Sequence, residues 1–148
     1  MVATLVSVIT ILIVVIWNGI QYRQVKRQME IQNEHMRLNI LSEYTQRWSE
    51  VFWRLPVDIY EDSYSVDDLE PKERDEVLKT LRMLFDISSE WFYLYQIEYV
   101  DKETWRQFDG AVTAMSKTPA FRTAWSMFSK DPTLSKGFRK YIDSKMRD

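Results

Sequence analysis

The stretch Glu90–Val100, EWFYLYQIEYV, sets Trp91, Phe92, Tyr93, Leu94 and Tyr95 in unbroken succession. On a helix, neighbours turn by about 100°, so five in a row reach every azimuth and no single buried face holds them all. If Leu84, Ser88, Phe92 and Tyr95 face a core, Tyr93 and Leu94 point elsewhere. Such a helix is either wrapped on several sides or meets a partner or a membrane surface with its outer face.

The rest of the chain favours helices too. It has 148 residues with 3 Gly, 4 Pro and 14% aromatic side chains, a composition of few turns and bulky contacts. A net charge of −2 argues against a nucleic-acid binder, and the absence of cysteine removes disulfides, thiolate metal sites and thiol nucleophiles.

Val2–Ile20 is free of charge, and twelve of its nineteen residues are Val, Leu or Ile. As a helix it spans roughly 28 Å, close to the hydrocarbon thickness of a bilayer. These residues supply about −5 kcal/mol of insertion free energy, more than Thr4, Ser7 and Thr10 cost. With no basic start and no small-residue cleavage site, it reads as an uncleaved anchor rather than a signal peptide. Arg23, Lys26 and Arg27 follow it, which predicts an external N-terminus and a cytoplasmic C-terminal domain at the cell membrane. Trp17 and Tyr22 then fall at the cytosolic interface.

Neither Pro nor Gly interrupts Tyr22–Leu55, which predicts that the anchor continues as a long helix. Tyr22, Val25, Met29, Gln32 and Met36 alternate at three and four like a short coiled-coil seam, compatible with a homodimer stalk or with a helix laid against a larger complex. Farther on, Ile40, Leu41, Tyr44, Trp48, Val51, Phe52 and Leu55 form a broad core-facing stripe stopped by Pro56. Residues 56–70 hold six acids and no base, and their spacing fits no calcium loop, so a solvated connector is expected.

Pro71 opens the next helix, on which Val77, Leu81, Leu84, Ser88, Trp91 or Phe92, Tyr95 and Tyr99 trace one face through to Val100. Asp101 caps a third, Thr118-Pro119 a fourth and Asp131-Pro132 a fifth. The expected fold is therefore all-α: an anchor (1–22), a helical stalk and first bundle helix (23–55), an acidic connector (56–70) and a helical cytosolic domain (71–148).

The sequence carries no recognisable catalytic pattern. His35 is the only histidine, and no phosphate loop, nucleophile elbow or metal-spaced pair exists. No catalytic residue, metal or cofactor is expected. Trp53, Trp91, Tyr93 and Leu94 are the candidate partner-facing residues, since Trp is enriched at binding hot spots. Lys130, Lys136, Arg139, Lys140, Lys145 and Arg147 make a basic tail that suits anionic headgroups or the acidic connector.

The C-terminal half carries Phe92, Tyr95, Val100-Asp101, Trp105, Pro119-Ala120-Phe121-Arg122 with Trp125, and Gly137-Phe138-Arg139 with Tyr141, Ile142 and Asp143. In these it resembles a group of uncharacterised short bacterial membrane proteins with one N-terminal anchor and a small helical cytosolic domain. The resemblance implies a bacterial origin and this layout, with no activity attached. The expected role is a non-catalytic accessory or scaffold subunit that binds the lipid bilayer and other membrane protein subunits, and no nucleic acid. The alternatives are a self-associating homo-oligomer, for signalling or membrane disruption, and an enzyme whose site does not show in sequence.

Overall fold

The structure, a computed structural model, describes the backbone of residues 2–147 and the side chains of residues 14–147. Among the described residues the chain is all-helical, with α1 (Val2–Phe52), α2 (Pro71–Gln96), α3 (Lys102–Ser116), α4 (Pro119–Phe128) and α5 (Lys136–Lys145). It forms two compact units, Met1–Ile40 and Leu41–Asp148. No helix among the described residues is long and apolar enough to cross a membrane. Residues 2–13 of the expected Val2–Ile20 anchor lie outside those whose side chains are described.

In the second unit α2 is the central element. Leu81, Leu84 and Phe85 are sealed from solvent, and Phe85 meets Phe121 of α4 at 4.6 Å and Trp125 at 5.1 Å between ring centroids. One turn or two farther along, the aromatic run finds its partners. Trp91 stacks on Phe108 of α3 at 5.2 Å, Phe92 stacks on Tyr141 of α5 at 5.2 Å, and Tyr95 lies parallel to Trp105 at 4.3 Å. Leu94 is buried as well, which leaves Tyr93 as the outward-facing member of the five. A helix covered from several directions accommodates a run that one face would not.

Helix starts follow local chemistry. Asp101 accepts from the backbone N–H of Glu103 at 3.0 Å and of Thr104 at 2.9 Å, satisfying donors that the first turn of α3 leaves free. Thr118 and Ser135 do the same for α4 and α5. Three expectations need correction. The fifth helix begins at Lys136 with Ser135 as its cap, not at Asp131-Pro132, because Asp131 spends its carboxylate on the turn itself. α2 stops at Gln96, so Tyr99 is not on its face.

The third concerns residues 56–70, which are not merely a solvated connector. They fold into single-turn 3-10 helices at Val57–Tyr60 and Val66–Asp68 that bury Ile59, Tyr64 and Val66 while the acids stay outside. The first turn packs on α4 and the second on α2, which covers Ile59, Tyr64 and Val66.

The end of α2 is a Schellman turn. The N–H of Glu98 donates to Tyr95 O at 3.0 Å and that of Tyr99 to Leu94 O at 2.9 Å. Glu98 sits at the left-handed position, φ 59°, where glycine is the usual occupant. Glu98→Gly is expected to stabilise the domain by up to about 1 kcal/mol. The midpoint of urea unfolding reads this out, and an unchanged or lower midpoint would refute the assigned turn.

Candidate functional site

Between the Leu41–Phe52 part of α1, the middle of α2 and the turn joining α4 to α5 runs a cleft of about 640 Å³. Its wall carries Arg47, Glu50, Arg54, Arg82, Asp86 and Glu90, three cations against three anions. A second hollow of about 730 Å³ adjoins it through Ser89, Glu90 and Thr133, and is lined by Tyr44, Tyr93 and Ile97.

Arg82 organises this region. Its guanidinium donates to Asp86 one turn on, to Asp131 and to Thr133 Oγ1 at 2.7 Å, and lies over the Phe128 ring at 5.6 Å. A planar fork with five donors suits several acceptors at once. Asp131 also accepts from the Thr133 hydroxyl at 2.6 Å and its backbone N–H at 2.8 Å. These two hydrogen bonds and the Arg82 guanidinium hold the Asp131 carboxyl down at about 2. The result is a clamp from α2 to the α4–α5 turn.

Farther along the cleft, Arg47 pairs with Glu90 at 3.3 Å and covers the Tyr44 ring at 5.2 Å. Burial first, then the charge of Glu90, pushes the Tyr44 hydroxyl up, keeping it a neutral donor. Across the molecule Asp109 takes the Tyr141 hydroxyl at 2.7 Å and Lys145 at 2.9 Å, tying α3 to α5. Burial, with Asp109 adding to it, drives the Tyr141 hydroxyl far above its ordinary range. The Asp109 network is partly buried, whereas the Arg47–Glu90 pair stays exposed on the cleft wall. Among the described residues no group of three or more His, Cys, Asp or Glu side chains is placed to hold a metal ion.

The candidate partner-facing residues separate. Trp91 (5% exposed) and Leu94 (9%) belong to the core, where neither offers surface to a partner. Their helix is enclosed there by α3 and its neighbours, which sequence spacing alone does not reveal. Trp53 is 82% exposed and Tyr93 62%. Trp48 and Trp53, about 140° apart on a helix, go opposite ways: Trp48 turns inward to Phe108, while Trp53 touches Phe52 by its edge and otherwise faces solvent.

Four and seven residues after Trp53 the chain exposes Val57 (96%) and part of Tyr60. The sequence reading missed Val57 and Tyr60, although an apolar residue directly after a helix-ending Pro was the available clue. Trp17, Tyr22, Arg23, Lys26 and Arg27, expected at a membrane interface, are all exposed on α1. In the basic tail, Lys145 is engaged by Asp109 and Arg147 donates to the Asp143 carbonyl.

The Asp131 clamp sets a pH dependence with a definite sign. A carboxyl held below its unfolded value contributes stability that is complete above about pH 4 and is lost as pH falls through about 2. Asp131→Asn is expected to lower the thermal midpoint at pH 7. Its deficit should close progressively between about pH 4 and about pH 2. A deficit independent of pH would show that the carboxylate charge contributes nothing. Comparison of the chain with protein-family models, with curated proteins and with solved structures finds no match.

Proposed function

We propose that this protein is a non-catalytic accessory or scaffold subunit of the bacterial inner membrane. Val2–Ile20 anchors it with the N-terminus outside, and the helical Leu41–Asp148 unit binds a second protein on the cytoplasmic side. The observation that carries the docking half is the exposure of Trp53, Val57 and Tyr60 within one short stretch of chain, Trp53 and Tyr60 both lying against Phe52. A Trp left 82% in water and, four residues on, a Val left 96% in water together forgo several kcal/mol of apolar transfer that a partner would supply. Trp is also the residue type most enriched where single side chains dominate binding.

The acids next to the patch narrow the partner's chemistry. Asp58, Glu61 and Asp62 are exposed in the same stretch of chain, residues 53–62, where Arg54 is the one base. Anionic lipid would be repelled by that rim, so the complementary surface is a protein with an apolar socket edged by Lys or Arg. Tyr93 and Ile97 provide a smaller exposed pair at the end of α2.

Extraction of the tagged full-length chain from native membranes in mild detergent tests this reading. A larger complex of fixed stoichiometry is expected. Trp53→Ala should weaken it by about 2 kcal/mol, roughly 30-fold in affinity, without moving the thermal midpoint. Trp91→Ala should instead cost about 3–5 kcal/mol of folding stability. A particle containing only this chain would sink the proposal, and release of the chain by an alkaline wash would remove the anchor.

A further inference from the structure

The Met1–Ile40 unit presents a helix face with nothing packed on it. Val15, Tyr22, Val25, Met29 and Met36 are each at least half exposed. With Asn18, Gln32 and Asn39 they occupy every a and d position of a heptad pattern from Val15 to Asn39. The stretch covers about three and a half heptads, with five apolar side chains and three amides in the seam.

The charges are segregated from that face. Between Tyr22 and Ile40 there are six charged residues: Arg23, Lys26, Arg27, Glu30, Glu34 and Arg37. At 100° per residue all six fall within an arc of about 100°, and five of them take the b and f positions that point away from a coiled-coil seam. Arg37 and Glu34 approach each other at 4.0 Å along that arc. The positions flanking the seam are mostly neutral: Gln21, Gln28, Asn33 and His35, with Lys26 alone charged.

We infer that this face pairs with a second copy of the same chain, parallel and in register. Self-pairing places Asn18, Gln32 and Asn39 each opposite its own copy, and a primary amide both donates and accepts, so identical amides satisfy one another. A different partner would have to supply amides at matching heights. Antiparallel pairing would set Asn18 against the Met36–Asn39 end. The neutral flanks let two copies meet without like-charge repulsion. Polar d positions weaken a free coiled coil in exchange for register, but confinement of both chains to one membrane raises their effective concentration and offsets the loss. The pairing makes the scaffold bivalent, presenting two Trp53 patches to its partners. It does not depend on what those patches bind.

The chain has no cysteine, so single-thiol variants report the contact directly. Val25→Cys, Met29→Cys and Met36→Cys are compared with Arg23→Cys, Arg27→Cys and Glu34→Cys, each in the full-length chain in its native membrane under a mild oxidant. All six positions are exposed, so folding is not at issue. The first three are expected to give about tenfold more disulfide-linked homodimer than the last three, because a disulfide needs Cβ atoms roughly 4 Å apart. Each of three results would overturn the inference: equal yields on both faces, linkage confined to the middle position as an antiparallel pair requires, or linkage of the seam thiols to a different chain.

Discussion

Tyr95 lies flat on Trp105, with ring centroids 4.3 Å apart and planes 8° from parallel, and that contact belongs to a network of rings on which the packing of the domain's helices depends. Trp105 also meets Phe92 and Tyr141, so rings from α2, α3 and α5 share one cluster. A second cluster, Phe85 with Phe121 and Trp125, joins α2 to α4, and Phe138 links the two by touching both Phe92 and Trp125. Each ring buries on the order of 150–250 Å², and offset or edge contacts add about 0.5–1.5 kcal/mol beyond that area. Helices of 10 to 15 residues, too short to persist alone, acquire their stability this way.

The close approach has a local requirement at Gly137. A β-carbon there would stand 3.2 Å from Phe92 Cε1, tighter than ordinary contact, so the first turn of α5 reaches the aromatic cluster because it carries no side chain at that point. Ser135 caps the same turn from outside. Capping and clearance thus cooperate to seat α5 against α2.

Much of this was legible along the chain. Pro71, Asp101 and Thr118-Pro119 mark real helix starts because the chemistry that satisfies a first turn is local. The end of α2 at Gln96 was not legible, since the left-handed backbone at Glu98 is a property of the turn and not of glutamate, and Asp131 resembles a cap while its oxygens serve Thr133 and Arg82. The clamp joins residues 49 and 51 apart, and the Arg47–Glu90 pair residues 43 apart, distances at which sequence pattern carries no information. Trp91 and Leu94, candidates for a partner-facing role by residue type and spacing, are buried for the same reason: whether a helix has one neighbour or several is decided by tertiary packing.

The tryptophans of the domain occupy contrasting environments, and this gives the protein an optical signature of its own. Trp91 and Trp125 are enclosed by rings, whereas the Trp53 indole stands in water at the end of α1. An indole in water emits at longer wavelength and is open to collisional quenchers, while packed ones are shielded. Selective quenching by iodide therefore isolates light from the exposed side chains, and covering Trp53 would move that component toward the blue. The native side chains thus report occupancy of the patch in unlabelled protein.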